Sequence, residues 1–207
     1  MSVTKLDIDF DYHRLLSEFK SFDIERKLID NTYQLAVQCR EGVDTDQQLT
    51  DSCGSLVWDW DGYFPEKDYT NSGPKKRDVI LAETQFDILC DMFKDTYIGE
   101  VVNTLQEQYD VVRGRFMMLG MKQCLTYHTD NTPRLHIPLV THESCFMVID
   151  DKVCRIPYPG TYKVDTTKKH TALNASKILR THLVFVLPKP PVDKSKPLPW
   201  ESDFVLG

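Results

Sequence analysis

Two histidines and an aspartate stand at spacings that would let them bind one metal ion. His128 and Asp130 are separated by one residue in YHTD (127–130), and His170 follows in KHTA (169–172). Alternate residues of a β-strand point to the same face, so His128 and Asp130 could reach one ion together. A histidine from a neighbouring strand would complete a 2-His-1-carboxylate triad, which leaves coordination positions open and is typical of non-haem Fe(II) oxygen chemistry. The pattern indicates a candidate iron site.

Basic residues follow each part of this pattern. Arg134 and His136 lie in PRLHIPL (133–139), and Arg180 opens RTHLVFV (180–186), ten residues after His170. A guanidinium group is a planar fork that can bind a carboxylate through two parallel hydrogen bonds. An unpaired carboxylate in a partly apolar barrel would cost several kcal/mol. These residues are therefore candidates for binding an acidic ligand beside the metal.

These segments together resemble the Fe(II)/2-oxoglutarate-dependent oxygenases. The runs HTDNTPRLHIPL, PGTYKVD, HTALNAS and RTHLVFV are similar to the aspartyl/asparaginyl β-hydroxylase branch, which includes relatives that act on free proline. The resemblance extends from about Arg113 to Leu187, with some support upstream. Some members of this branch lack the carboxylate ligand, whereas here H-T-D is intact, so the substrates of those members are a poor guide.

The resemblance implies roles for six residues. Three would be catalytic residues that hold Fe(II), and three would bind the co-substrate 2-oxoglutarate: His128, Asp130 and His170 for the metal, and Arg134, His136 and Arg180 for 2-oxoglutarate. Arg180 is expected at the distal carboxylate, and Arg134 with His136 at the carboxylate next to the metal. O2 would be the other co-substrate.

The activity that the resemblance implies is hydroxylation of an unactivated carbon, coupled to decarboxylation of 2-oxoglutarate to succinate. The substrate stays open between an amino acid or another small metabolite and an Asp, Asn or Pro residue in a peptide. Two alternatives are a non-catalytic jelly-roll binding module and a cupin-type metal enzyme that does not depend on 2-oxoglutarate. Arg113 and Arg115 could bind a substrate carboxylate or form a structural ion pair.

Length and composition fit a soluble enzyme of one domain. The 207 residues are 41% hydrophobic and 27% charged, and the net charge of −6 argues against nucleic acid as the main partner. We find no signal peptide and no apolar run that could span a membrane. Six scattered cysteines without a C-x-x-C pair indicate reduced thiols, so we expect a cytoplasmic location. The oligomeric state is open.

The apolar patterns predict the elements that would position these residues. They favour a mainly β (α+β) fold, a cupin-like double-stranded β-helix or jelly roll with N-terminal helices packed on one sheet, which is also the fold that the resemblance implies. One oxygenase domain is expected over 1–187, with a helical or mixed part at 1–109 and the jelly-roll core at 110–187, followed by a Pro-rich tail at 188–207.

Individual elements follow from helical and alternating periodicity. One helix is predicted in His13–Leu28 and two helices in Thr84–Gln108. Strands are predicted at the following positions: Tyr33–Val37, Gly54–Trp60, Val111–Leu119, Gln123–Asp130, Leu135–Thr141, Cys145–Ile149, Lys152–Ile156, Gly160–Val164, His170–Leu173 and Leu179–Leu187.

Overall fold

The computed structural model describes residues 2–22, 33–59 and 75–188, and these form mainly antiparallel β-sheet with few helices. The helices are α1 (Tyr12–Ser21), α2 (Gln48–Asp51) and α3 (Tyr97–Tyr109). The strands are β1 (Val3–Lys5), β2 (Gln34–Ala36), β3 (Gln38–Cys39), β4 (Trp58–Asp59), β5 (Lys75–Lys76), β6 (Ile88–Leu89), β7 (Val112–Leu119), β8 (Gln123–Cys124), β9 (Arg134–Val140), β10 (Cys145–Ile149), β11 (Lys152–Cys154), β12 (Tyr162–Val164), β13 (His170–Asn174) and β14 (Arg180–Val186).

Two antiparallel sheets carry the candidate residues. The larger sheet has six strands in the order β1-β12-β9-β14-β7-β2, and the smaller has four in the order β11-β10-β13-β8. Two further pairs, β3 with β6 and β4 with β5, lie outside them. Strand β14 is central to the larger sheet because it pairs with both β7 and β9.

One face of the larger sheet is apolar and packs against α1 and α3. Phe116, Ile137 and Leu183 from its central strands are fully buried in one cluster with Leu15 of α1 and Leu105 of α3. Burying large apolar side chains of this kind stabilises the fold by about 1.5–3 kcal/mol each. The periodicity of these strands therefore fixes which of their residues lie on the opposite face.

The opposite face of the larger sheet carries polar side chains that are nevertheless buried. Arg115, Arg134, His136, Arg180 and His182 alternate with the apolar residues and are all at most 7% exposed. A second apolar cluster joins the two sheets; it consists of Leu119, Met147, Ile149, Ile156, Tyr162, Val164 and Ala172. The polar face is thus enclosed between the sheets, where its charges are poorly hydrated.

Several predicted elements match the structure. Strands β9, β10, β13 and β14 lie within about two residues of their predicted positions, and α3 is the second of the two helices predicted in Thr84–Gln108. The helix predicted to start at His13 is α1, which ends at Ser21; the rest of that prediction, to Leu28, lies outside the described residues. The predicted strand Gly54–Trp60 forms only at Trp58–Asp59, and Trp60 is not described.

The prediction of a helix starting at Thr84 is wrong. The segment forms a 3₁₀ turn at Glu83–Gln85, strand β6 and a second 3₁₀ turn at Asp91–Phe93. Its apolar spacing fits a helix, but β6 pairs with β3, and the Cys90 amide donates to the Val37 carbonyl at 2.9 Å. Long-range sheet pairing outweighs the local preference for helix here.

Among the described residues, no helix has the length and apolarity that crossing a bilayer requires. The division into a domain at 1–187 and a tail stays a prediction, and residues 189–207 of the tail are not described.

Candidate metal centre

The structure brings His128, Asp130 and His170 together. One imidazole nitrogen of each histidine and one carboxylate oxygen lie within 4.8 Å of one another. The two histidines are joined by a pair of main-chain hydrogen bonds, from the His128 amide to the His170 carbonyl at 3.0 Å and in reverse at 2.7 Å. The Asp130 amide donates to the Thr166 carbonyl at 2.9 Å, which fixes the loop that carries the carboxylate.

The predicted strand around this loop is too long. Strand β8 ends at Cys124, and His128 forms an isolated bridge rather than part of a continuous strand over Gln123–Asp130. The i, i+2 relation still places His128 and Asp130 on the same side because this part of the chain runs alongside β13. The alternation of apolar and polar residues in the sequence does not reveal that the strand ends at Cys124.

Main-chain carbonyls set the tautomer of both histidines. Nδ1 of His128 lies 2.7 Å from the Thr126 carbonyl, and Nδ1 of His170 lies 3.0 Å from the Lys168 carbonyl. A carbonyl only accepts, so Nδ1 carries the hydrogen in each neutral ring and Nε2 keeps its lone pair. These Nε2 atoms lie 4.0 Å and 3.8 Å from the two carboxylate oxygens of Asp130. Metal-binding histidines are commonly oriented by this kind of hydrogen bond.

The donor set fits a divalent transition metal. Burial lowers the pKa of His170 despite the nearby Lys168 carbonyl and Asp130, so its ring is neutral at pH 7 and can ligate. Two imidazole nitrogens and one carboxylate oxygen are the donors of a facial triad. Ligands about 2.1 Å from an octahedral ion lie roughly 3 Å apart. The donors need to close by only about 1–2 Å from the separation of up to 4.8 Å seen here.

Arg134 contacts two carboxylates. Its Nε lies 3.1 Å from Oδ2 of Asp130, and its Nη2 lies 3.0 Å from Oε1 of Glu83. Nη1 also donates to the Thr132 hydroxyl at 2.7 Å. Arg113 binds the same Glu83 carboxylate at 2.8 Å. The guanidinium of Arg134 therefore orients Asp130, and its predicted place beside the metal-side carboxylate of 2-oxoglutarate stays a prediction.

Glu83 is a residue of this site that the sequence did not reveal. It lies 51 residues before Arg134, in a 3₁₀ turn, and no motif links the two. Burial tends to raise the pKa of Glu83, but the charges of Arg134 and Arg113 outweigh it and hold the pKa below its usual value. Glu83 therefore offsets the charge of two buried arginines, and for Arg113 it is the one carboxylate partner among the described residues.

We expect Glu83→Gln to lower the free energy of unfolding by roughly 3 kcal/mol at pH 7, the low end for breaking a buried ion pair, because Glu83 is 22% exposed. Because the pKa is depressed in the folded protein, this contribution is present above about pH 4.3 and is lost as pH falls through the folded pKa. The variant should thus lose less stability than the parent on acidification. Urea unfolding at several pH values measures both effects.

The exposed Glu143, changed to Gln, is the matched control. Equal unfolding free energies for the parent and Glu83→Gln at pH 7 would contradict a neutralising role for Glu83.

Arg180 lies between the sheets and contacts a pair of histidines. Its Nη2 donates to Nδ1 of His182 at 3.1 Å. Nδ1 of His136 lies 3.3 Å from Nδ1 of His182. Since arginine only donates, Nδ1 of His182 accepts and its hydrogen is on Nε2, while His136 donates from Nδ1. Burial, followed by the charge of Arg180, lowers the pKa of both rings well below the usual range, so both are neutral.

The guanidinium of Arg180 has no carboxylate partner among the described residues, although it is only 6% exposed. Burial lowers the pKa of Arg180 to about 10. Nε2 of His182 is likewise buried without a hydrogen-bond partner. Beside them is a crevice lined by Thr141, Cys145, Phe146, Met147 and Ile156, which in this structure is too narrow to admit a water molecule. A buried unpaired cation next to an unsatisfied donor is an environment that an anionic ligand would complete.

His136 links the two halves of the site. It follows Arg134 by two residues on β9, and its Nδ1 lies 3.3 Å from Nδ1 of His182, which contacts Arg180, so it lies between Arg134 and the buried Arg180. The structure thus brings all six predicted site residues into one region. Arg134, His136, His170 and Arg180 are buried there, and the half-exposed His128 lies at the edge of this region.

Among solved structures, a protein of Photorhabdus luminescens is 13% identical, with a TM-score of 0.32 over 37% of this chain. A conserved Streptococcus pyogenes protein of unknown function is 17% identical, with a TM-score of 0.31 over 37% of this chain. The chain covers 62% and 65% of the lengths of these two proteins.

A third solved structure aligns over most of this chain. An oxidoreductase of the 2OG-Fe(II) oxygenase family from Burkholderia pseudomallei is 14% identical, with a TM-score of 0.42 over 89% of this chain and 84% of its own. No curated protein matches the sequence. Residues 78–190 match the sequence family described as aspartyl/asparaginyl beta-hydroxylase, over more than half of the chain. This chain therefore belongs to the aspartyl/asparaginyl β-hydroxylase family.

Proposed function

We propose that the protein is an Fe(II)/2-oxoglutarate-dependent dioxygenase. It would hydroxylate an unactivated carbon of an amino acid, or of an Asp, Asn or Pro residue in a peptide, while 2-oxoglutarate is decarboxylated to succinate. The observation that carries this proposal is the convergence of two imidazoles and one carboxylate, in a protein whose polar inner face also holds Arg180, which is buried without a carboxylate partner among the described residues. Membership of the β-hydroxylase family supports the oxygenase class.

The proposal includes the arrangement of the sheets. We propose that the six-stranded and four-stranded sheets are the two layers of a double-stranded β-helix. The apolar cluster that joins them and the polar inner face of β7, β9 and β14 support this arrangement. Such a fold would exclude bulk water from the ligand while leaving the edge at His128, whose side chain is 40% exposed, open to a substrate.

The protein would hold the iron through His128, Asp130 and His170. Bound Fe(II) would supply the redox chemistry that activates O2, and the protein would supply geometry and exclusion of water. The carbonyls of Thr126 and Lys168 keep the lone pair of each Nε2 free for the metal. Arg134 holds the carboxylate of Asp130 in place through its Nε.

Arg180 would bind the distal carboxylate of 2-oxoglutarate, with the unpaired Nε2–H of His182 as a second donor. The metal-side carboxylate would lie near His136 and Arg134. In the tautomer described above, Nε2 of His136 offers a lone pair rather than a hydrogen. A dianion bound beside it would favour the protonated ring, which could then donate from Nε2.

The experiment that tests this function is a succinate assay with Fe(II), ascorbate and 2-oxoglutarate, run without substrate and with a panel of free amino acids and Asp-, Asn- or Pro-containing peptides. We expect slow succinate formation without substrate and faster formation with a member of the panel. Mn(II) with N-oxalylglycine, a non-reacting mimic of 2-oxoglutarate, should raise the melting temperature, because ligands that bind only the folded state stabilise it.

A binding module would form no succinate and gain no stability from N-oxalylglycine. A cupin-type metal enzyme would transform its substrate equally well without 2-oxoglutarate. Either result would exclude the proposed reaction.

A further inference from the structure

Arg115 is a buried arginine that the metal centre does not use. It lies on β7, on the polar inner face of the larger sheet, while its neighbour Phe116 is buried in the apolar cluster on the other face. Its Cα is paired with Val184 of β14, and Val184 is paired with His136 of β9, so Arg115 shares a row of the sheet with His136. Adjacent strands are about 4.8 Å apart, which places the two backbones roughly 10 Å from each other.

The guanidinium of Arg115 has few partners in the described part of the chain. It is 5% exposed, and its one hydrogen bond there runs from Nη1 to Oε1 of Gln34 at 3.0 Å. Nε is buried with no hydrogen-bond partner, and within the described ranges no carboxylate pairs with the side chain. Burial, followed by the charges of Arg113 and Arg134, lowers the pKa of Arg115 well below its usual value.

Arg113 provides the contrast, because it lies two residues earlier on β7 and binds Glu83, the carboxylate that also contacts Arg134 of the inner face. Its Nη1 binds Glu83 at 2.8 Å, its Nη2 donates to the Gly54 carbonyl at 2.7 Å, and its Nε donates to the Ser52 carbonyl at 3.2 Å. Each guanidinium nitrogen of Arg113 thus has a partner in the protein. Arg115 has the same charge and similar burial but lacks such partners among the described residues.

The charges around the site leave room for a further anion. Arg113, Arg115, Arg134 and Arg180 are buried there, whereas Glu83 and Asp130 are the carboxylates that contact them. Fe(II) and the dianion 2-oxoglutarate would cancel each other. The excess positive charge would therefore persist after both have bound, and burying it unpaired would be costly.

We propose that Arg115 and Gln34 form a second carboxylate-binding subsite, separate from Arg180, that holds a carboxylate of the substrate. The Nε–Nη2 edge of a guanidinium presents two parallel N–H groups, which match the two oxygens of a carboxylate. The oxygen of the Gln34 amide already accepts from Arg115 and from the Gly54 amide at 3.1 Å, which leaves the NH2 group of Gln34 as a further donor for the subsite.

This inference rests on the proposed function and narrows its substrate class. A substrate held by Arg115 must carry a free carboxylate, as a free amino acid or an Asp side chain does. An Asn side chain, or a Pro residue inside a peptide, offers only amides and would leave the charge of Arg115 unpaired.

Stability distinguishes a ligand-binding arginine from a structural one. We expect Arg115→Met to melt at or above the temperature of the parent protein, because it removes a buried charge that has no partner. Arg113→Met should melt lower, since it leaves Glu83 with fewer partners and two carbonyls unsatisfied. A loss of stability in Arg115→Met as large as that in Arg113→Met would overturn the proposal.

Binding is tested with acetate as the probe. The parent is first loaded with Mn(II) and N-oxalylglycine, so that Arg180 is occupied, and is then melted in acetate or in chloride at equal ionic strength. We expect acetate to raise the melting temperature of the parent and of the exposed-site control Arg155→Met, and to have at least a several-fold smaller effect on Arg115→Met. Equal effects on the parent and Arg115→Met, or no effect on the parent, would overturn the subsite.

The two proposals fail in different ways. If N-oxalylglycine stabilises the parent but acetate does not, the subsite is wrong and the oxygenase proposal stands. If N-oxalylglycine has no effect, the oxygenase proposal fails, and acetate is then tested in the Arg180→Met background. Stabilisation there that depends on Arg115 would support the subsite alone.

Discussion

Replacing Arg180 with methionine is expected to raise the KM for 2-oxoglutarate by roughly 30-fold to more than 1,000-fold. Removing one partner of a buried, hydrogen-bonded charge pair costs about 2–5 kcal/mol, and each 1.4 kcal/mol is tenfold in affinity. The same change should abolish the thermal stabilisation by Mn(II) with N-oxalylglycine. Succinate formation as a function of 2-oxoglutarate concentration measures the first effect, and a melting curve measures the second.

Two controls make this result specific to Arg180. Arg155 is exposed, so Arg155→Met removes the same charge outside the space between the sheets and should leave the KM unchanged. Without ligand, Arg180→Met should be at least as stable as the parent because, within residues 2–22, 33–59 and 75–188, the guanidinium has no acidic partner to lose. An unchanged KM for 2-oxoglutarate in Arg180→Met would remove Arg180 from the co-substrate site.

Changing His128 or Asp130 to alanine is expected to abolish turnover and to weaken metal binding by more than 100-fold. Loss of a hydrogen bond to a metal ligand already costs about 10- to 100-fold, and loss of a ligand should cost more. Mn(II) titration followed by electron paramagnetic resonance measures affinity without needing activity. His128 is the more informative position for folding because its side chain is 40% exposed, so its removal disturbs little packing.

His142 is the matched control for His128. It is exposed on the loop between β9 and β10, and His142→Ala should bind Mn(II) as the parent does. Turnover at the parent rate in both His128→Ala and Asp130→Ala would rule out the metal assignment.

The central strands were predictable because each alternates between two chemically different faces. In RLHIPLV of β9 and RTHLVFV of β14, apolar residues pack on the helices, and Arg, His and Val lie on the inner face. Helix α3 was predictable from its buried stripe of Ile98, Val102 and Leu105. The segment that starts at Thr84 was not, because the spacing of its apolar residues suits a helix as well as a strand between two turns.

The candidate ligands were predictable, but their surroundings were not. The spacing of His128 and Asp130 survives even though the strand predicted for them does not form beyond Cys124. Glu83 could not be found, since it meets Arg134 only through the folding of a distant segment. Arg113 and Arg115 look equivalent in the sequence, and only the positions of Glu83 and Gln34 separate a satisfied guanidinium from an unsatisfied one.

The contact between Arg134 and Asp130 has a consequence for the order in which ligands arrive. Oδ2 of Asp130 lies 3.1 Å from Nε of Arg134 and 3.8 Å from Nε2 of His170, so a guanidinium and an incoming cation compete for the electrons of one oxygen. A metal ion bound by Asp130 would weaken the hydrogen bond between Oδ2 of Asp130 and Nε of Arg134. One edge of the Arg134 guanidinium would then be free to bind another carboxylate. We therefore expect the metal to enter first and to prepare Arg134 for the keto acid, which makes loading sequential rather than random.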